Sequence, residues 1–242
     1  MFLKSAIKAI LTFLHLDVTK NMQYDRLTNQ ILFKSLKSDS NCIDIGCHKG
    51  EILDIMLKQS PTGKHFAFEP IPSMYADLAS KYANHKNVTL HNCALSDQNG
   101  QTTFQFVKNA PAYSGIKKRA YAVDNPDIEE INVELKKLDD VIPTETRIDF
   151  IKIDVEGAEF GVLKGARELL ARNKAVLIFE FGKGASDFYG TDPAELYQFL
   201  ADLGYSIFGL KPYLSGNNGY LKTEFVKHYD DNSEYYFVAN KM

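Results

Sequence analysis

The chain of 242 residues has only three cysteines, Cys42, Cys47 and Cys93. The set is odd and sparse and contains no Cys-x-x-Cys pair, so neither a thiolate metal site nor a disulfide framework is indicated. A reduced, cytoplasmic setting is the expectation. There is no basic excess either: 28 Lys and Arg face 31 Asp and Glu, a net charge of -3, and this removes the usual electrostatic reason to expect a nucleic-acid partner. No apolar run reaches the ~20 residues that span a bilayer. The nearest approach is Met1 to Leu16, where Lys4 and Lys8 precede apolar Ala9 to Leu14 without a small-residue cleavage site. Leu3, Ile7, Ile10 and Leu14 recur at helical spacing, which predicts a helix packed on the domain, weak contact with a membrane surface being the alternative. Internal repeats and low-complexity segments are absent. Nothing in the composition specifies an oligomeric state.

What is present is a regular alternation. Short apolar runs at 42–45, 64–69, 87–91, 148–153, 175–181 and 205–210 read as strands, several of them buried on both faces. Helical periodicity fills 51–58, 73–82, 158–171 and 194–203. The pattern predicts an α/β fold, a mostly parallel sheet with helices on both faces and ligands at the carboxyl ends of the strands. With 45% hydrophobic and 24% charged residues, one such domain over 41–242, preceded by a helical extension over 1–40, is the expected organisation. Two runs, 102–107 and 131–135, break the alternation as antiparallel strands around a long segment, 108–130. Loops of that length are usually functional or disordered. Tyr113, Ser114, Lys117 and Arg119 make this one a candidate lid contacting an anionic or sugar-like acceptor, a solvated turn being the other reading.

The first chemical signal is Cys42-Ile43-Asp44-Ile45-Gly46-Cys47-His48-Lys49-Gly50. An apolar run closing on Asp-x-Gly-x-x-x-Gly reads as a strand turning tightly into a helix. Glu69, at the end of the next run, falls where a crossover delivers a carboxylate to a ribose diol. The dinucleotide fingerprint needs its first glycine where Asp44 stands, and a carboxylate there repels phosphate. It attracts a cation, which suits S-adenosylmethionine, a nucleoside with an ammonium and a sulfonium. Cys42 reads as a core residue; Cys47 and His48, in the turn, are candidate ligand contacts.

The second signal is Ile151-Lys152-Ile153-Asp154-Val155-Glu156-Gly157-Ala158-Glu159. Its acids suit the first turn of the following helix, but Lys152 lies between isoleucines in a buried-looking strand and needs a carboxylate partner. The order of these motifs, with Phe68-Glu69-Pro70, Ala94-Leu95-Ser96-Asp97 and Leu138-Asp139 between them, resembles the FkbM family of methyltransferases over roughly residues 40–210.

The resemblance implies a class I, Rossmann-like, S-adenosylmethionine-dependent methyltransferase. Its seven-stranded sheet would end in an antiparallel strand, for which 234–239 is the candidate. It also implies hydroxyl groups of sugars or natural products as acceptors, hence a small-molecule or glycan partner. Carried onto this chain, Asp44, Gly46 and Gly50 shape the methionine end of the cofactor site, and Cys47, His48, Pro70 and Asp154 are further candidate cofactor contacts. Glu69 binds the ribose hydroxyls, and Cys93, Ala94 and Leu95 lie near adenine, with Asn92 or Asp97 open as the adenine contact. Cys47-His48-Lys49 departs from the Ala-Asn-x usual in the family. For proton removal the candidates are Lys152, Asp154, Glu156 and Glu180, Asp154 first. Asp154 and Glu156 offer oxygen ligands of the kind Mg²⁺ uses, although no spacing demands a metal. Two alternatives stay open, a nicotinamide-dependent oxidoreductase and a non-catalytic cofactor-binding scaffold. Base methylation in nucleic acid is disfavoured, because Asp154-Val155-Glu156-Gly157 replaces the Asn/Asp-Pro-Pro such enzymes carry.

Overall fold

The computed structural model describes residues 19–121 and 123–241; the helix expected over 1–16 lies outside them. The first described helix, α1 (Lys20–Ser35), starts where the Thr19 hydroxyl accepts from the Met22 amide, and it buries Tyr24, Leu27, Thr28, Ile31 and Leu32 at helical spacing. Then follow β1 (Cys42–Ile45), α2 (Glu51–Gln59), β2 (His65–Phe68), α3 (Pro72–Lys81), β3 (Val88–His91), β4 (Ala94–Leu95), β5 (Gly100–Val107) and β6 (Ile128–Lys136). Next come α4 (Leu138–Val141), β7 (Phe150–Ile153), α5 (Glu159–Lys164), α6 (Arg167–Arg172) and β8 (Val176–Glu180). The chain closes with α7 (Pro193–Asp202), β9 (Ser206–Gly209), α8 (Leu210–Leu214), α9 (Lys222–Asp230) and β10 (Tyr236–Asn240).

Seven strands form one sheet in the order β3-β2-β1-β7-β8-β10-β9. Only β10 runs against its neighbours, pairing antiparallel with β8 and β9. All residues of β1, β2 and β7 are buried, as strands covered on both faces require. One face packs Ile43, Ile45, Ile151 and Ile153 against the α5–α7 side, and the other packs Cys42, Phe150, Ile178 and Val238 against Ile31 and Leu32 of α1. Cys42 is thus a core residue, its thiol pushed up to about 12 by burial. The strand order reverses between β1 and β7, the place where open α/β sheets part at their carboxyl ends and admit ligands. There Asp44 pairs in register with Lys152. None of the described helices is long and apolar enough to cross a membrane.

Two expectations need correction, and one strand was not expected. The loop expected over 108–130 is shorter, because β5 and β6 pair antiparallel from Gly100↔Leu135 to Val107↔Ile128. β4 adds to β6 in parallel as the edge of this second sheet; two residues are too few to carry a strand pattern. The single helix expected over 158–171 is two. Asp139 starts the second one, its Oδ1 accepting from the Leu169 amide at 2.7 Å and its Oδ2 from the Glu168 amide at 2.9 Å. This is N-terminal capping by a side chain far away in sequence. Asp139→Ala should destabilise the fold by about 1 kcal/mol, read as a lower urea midpoint with an unchanged slope; an unchanged midpoint would contradict the assignment.

Candidate functional site

Gly46 adopts φ +73°, and a Cβ there would sit 1.9 Å from the Asp154 carbonyl oxygen. The end of β7 therefore passes against the turn so closely that only glycine fits. The amides of Gly46 and Cys47 both donate to the Phe68 carbonyl at 3.1 Å, tying the turn to β2. Gly50 has a different task. A Cβ there would lie 2.3 Å from the Tyr82 hydroxyl, which donates to the Gly50 carbonyl and to Asp54. Gly50 thus serves the packing of the turn on Tyr82 and does not line the cleft. Cys47 likewise turns away, buried among Leu53, Ala67, Leu78 and Tyr82 with its thiol pushed far up by burial. The expected cofactor contact of Cys47 is replaced by a core contact, because the turn leaves β1 toward α2. His48 does line the cleft, in the left-handed region at φ 49°.

The space between the walls of the cleft amounts to about 600 Å³, open solvent included. Glu69 stands in its wall with both oxygens oriented by the backbone: Oε2 accepts from the His48 amide and Oε1 from the Ile71 amide, each at 3.0 Å. Each oxygen keeps a lone pair for a further donor, an arrangement suited to two neighbouring hydroxyls. Burial pushes the Glu69 carboxyl up to about 7 against those two amides. Beyond Glu69 the wall is apolar, formed by Phe68, Pro70, Ile71, Met74, Cys93, Ala94, Leu95 and Phe104. Ile71, Met74 and Phe104 had no signal in the sequence beyond hydrophobicity. Asn92 donates to the Glu69 and Pro70 carbonyls, while Asp97 pairs with Lys164 at 2.7 Å. Neither lines the cleft.

Asp44 is fully buried behind this wall, its oxygens without a hydrogen bond among the described residues. Burial pushes its carboxyl up to about 6, Lys152 opposing. The Lys152 ammonium lies 3.9 Å from Asp44 Oδ1 and 3.3 Å from Asp154 Oδ2, and it donates to the Gly46 carbonyl at 3.3 Å. Burial disfavours its charge, yet Asp154 and Asp44 together hold it protonated, above its ordinary value. Asp154 is the tighter partner: against burial, Lys152, Glu180 and Tyr236 keep it below the usual carboxylate range.

Around Asp154 the structure assembles the acids expected from the sequence. Asp154, Glu156 and Glu180 each place a carboxylate oxygen within 4.8 Å of the others. Burial and the neighbouring Asp154 charge push Glu156 up to about 8, and they hold Glu180 well above its ordinary range. Glu156 has φ 58°, a conformation that side-chain-bearing residues hold only where surrounding contacts enforce it. Glu159 supplies such contacts, accepting from the Val155 and Gly157 amides. Tyr236, which sequence reasoning missed, donates to Asp154 Oδ2 at 2.8 Å; its only signal was its place in the expected last strand. The acid spacing would suit one divalent ion. Lys152 and Tyr236 both sit on Asp154 Oδ2 and Arg119 sits on Glu156 Oε2, so any ion would have to use the other oxygens of the cluster.

The insertion forms a wall of the same cleft. Pro111, Ala112, Ser114 and Ile116 line it, and the Ser114 hydroxyl accepts from the Val107 amide at 3.0 Å. Arg119 is ion-paired with Glu156, and its guanidinium also faces the Tyr113 ring at 5.7 Å. Tyr113 and Lys117 do not line the cleft; the Lys117 amide donates to the Tyr189 hydroxyl. The predicted basic and aromatic lid thus turns a mostly apolar edge to the cleft, and its half-buried cation, Arg119, is committed to an acid.

The seven-stranded, mostly parallel sheet with its antiparallel β10 is the Rossmann-like architecture of class I methyltransferases. The chain belongs to the FkbM family of S-adenosylmethionine-dependent methyltransferases, whose methyltransferase FkbM domain model matches residues 44–207. Methyltransferase sdnD of Sordaria araneosa is 32% identical over 178 residues, covering 60% of this chain and 69% of that protein. The 2-O-methyltransferase NoeI of Sinorhizobium fredii is 26% identical over 164 residues, covering 62% and 67%. Among solved structures, methyltransferase FkbM from Methylobacillus flagellatus KT superposes with a TM-score of 0.52 at 16% identity, covering 86% of this chain. The chain spans about half that structure's length, 47%, and the likeness concerns the fold alone.

The raised carboxyls have a consequence for stability. A buried acid that binds its proton more tightly when folded stabilises the fold fully below its unfolded value, and this stabilisation is lost as pH rises through the folded value. For Glu69 that window runs from about 4.5 to about 7. Unfolding free energy of the ligand-free protein should therefore fall across this window, and the fall should be shallower in Glu69→Gln. An identical slope in both proteins, measured by urea titration at several pH values, would contradict the burial account of Glu69.

Proposed function

We propose that this chain transfers a methyl group from S-adenosylmethionine to a hydroxyl on a carbohydrate, glycolipid or related small metabolite. The observation that carries the reading is the continuity of one cleft. Glu69 at the end of β2 is oriented for a diol, an apolar slot lies on one side of it, and Asp154 and Glu156 line the other end. The residues fit the cofactor on the chemistry of the donor set: Glu69 would hold the ribose hydroxyls, and Ala94, Leu95 and Phe104 would face the adenine. When bound, the cofactor supplies an electrophilic methyl group on a cationic sulfur. The acids Asp44, Glu69 and Asp154 set a negative field for that cation.

Alignment is the larger contribution, worth on the order of 7–11 kcal/mol, whereas a positioned base adds about 10²–10⁴-fold. The acids divide the second task. Asp154, carrying Lys152 and Tyr236 as donors, is a weak base and accepts the hydrogen bond that orients the acceptor hydroxyl. Glu156, raised to about 8, carries its proton in most molecules at neutral pH; its ionised fraction, which grows as pH rises toward that value, is the form that takes the proton. Arg119 engages its Oε2 and compensates its charge. That a relative is a 2-O-methyltransferase supports oxygen as the atom methylated. A small-molecule or glycan acceptor matches the net acidic charge better than a nucleic acid does.

The test is transfer from methyl-deuterated S-adenosylmethionine to panels of glycans, glycolipids and small alcohols, read by mass spectrometry. Wild type should label an O-methyl position, and Glu69→Ala should lower cofactor affinity by about tenfold or more, since a hydrogen bond to a charged group is lost. Equal affinity in the variant would overturn the cofactor assignment. Binding without transfer across the panels would favour the non-catalytic scaffold.

A further inference from the structure

One aromatic residue outside the stretch matched by the family model, Tyr236, reaches the acid cluster, and a second, Tyr24, packs against it. Tyr236 of β10 stands opposite Glu180 of β8 in the sheet register. Its hydroxyl donates to Asp154 Oδ2 at 2.8 Å, on the same oxygen that faces Lys152 at 3.3 Å. Behind it lies Tyr24 of α1, buried, with the two ring centroids 5.1 Å apart. Tyr24 is fixed in turn, its hydroxyl accepting from the Tyr235 amide at 3.3 Å and its ring meeting Tyr235 edge-on at 4.8 Å. Tyr235 donates to Asn21 of α1, and Lys20 donates to the Ser233 carbonyl. Helix α1 and strand β10, from opposite ends of the chain, are therefore locked together directly behind the carboxylate that closes β7.

We propose that Tyr236 is a positioning residue for methyl transfer: its hydroxyl, braced by Tyr24 of α1, fixes the Asp154 carboxylate in the wall of the cofactor cleft. The inference rests on the methyltransferase reading above and extends it to two segments, α1 and β10, that the family match does not include. The reason such a brace is needed is electrostatic. Asp154 is crowded by acids from three elements, Glu156 beyond β7, Glu180 of β8 and Glu159 of α5, with Asp44 of β1 further off. The cations of the cluster are Lys152, on Asp154 and Asp44, and Arg119, on Glu156. With one cation shared between two acids, a second donor on Oδ2 keeps Asp154 from turning away from its neighbours or taking up a proton. Tyr236 is held well above the ordinary phenol range by burial and by Asp154 and Glu180, so it stays a donor at any pH the protein meets.

The test compares wild type with Tyr236→Phe, which keeps the ring and its packing and removes only the hydroxyl. Cofactor affinity, read by calorimetry, should be unchanged, while kcat for labelled methyl transfer should fall by on the order of tenfold. The acid limb of the pH–rate profile and the Asp154 ¹³Cγ titration should both move to higher pH. Tyr24→Ala, which removes the brace and leaves the hydroxyl, should lower kcat in the same direction. If wild type transfers methyl groups and Tyr236→Phe retains its kcat, its pH profile and its Asp154 titration, the positioning role is overturned and the methyltransferase reading stands. If wild type transfers no methyl group to any acceptor, both fall together.

Discussion

The buried ammonium of Lys152 is the constraint on which the site depends. It projects from the centre of β7 at the place where the sheet reverses its order, opposite Asp44 in the register of β1. An unpaired charge cannot remain there, because removing one partner of a buried pair typically costs about 3–5 kcal/mol. The ammonium therefore fixes three things at once: the buried acid of the glycine turn, the carbonyl of Gly46, and the carboxylate of Asp154. The glycine turn and the acid cluster are one electrostatic unit. The close passage of the Asp154 carbonyl over Gly46 is the steric side of the same constraint.

That unit sorts the acids by role. Asp154, surrounded by donors, stays ionised, whereas Glu156 and Glu180, buried beside its charge, hold their protons into or beyond the neutral range. Neighbouring carboxylates pushed apart in proton affinity are the arrangement that acid–base chemistry near neutral pH needs. The insertion adds Arg119 to this balance through its ion pair with Glu156. It thereby couples the wall of the ligand site to the charge state of the cluster.

Much of this was legible in the chain because strands buried on both faces leave uninterrupted apolar runs, and a charged residue within or just beyond such a run stands out. Asp44, Glu69, Asp154 and Glu180 could be named for that reason, and Lys152 announced itself as a cation among isoleucines. The orientation of the turn was not legible. Whether Cys47 and Gly50 face ligand or core depends on Tyr82 and Leu53, whose packing no local pattern encodes. The break between α5 and α6 was hidden because its cap, Asp139, comes from another element. Tyr236 and Tyr24 escaped notice because a tyrosine in a strand or helix is ordinary until the sheet order brings it beside Asp154.

The central claim is that the Lys152 charge holds both halves of the site. It is tested most directly by the urea unfolding free energy of Lys152→Met, a replacement of similar volume without the charge, alongside Lys152→Met combined with Asp154→Asn. The account predicts that the single variant loses about 3 kcal/mol or more. The double variant should recover part of that loss, because one of the carboxylates left uncompensated is neutralised. A single variant as stable as wild type, or a double variant that loses the sum of the two single changes, would contradict it.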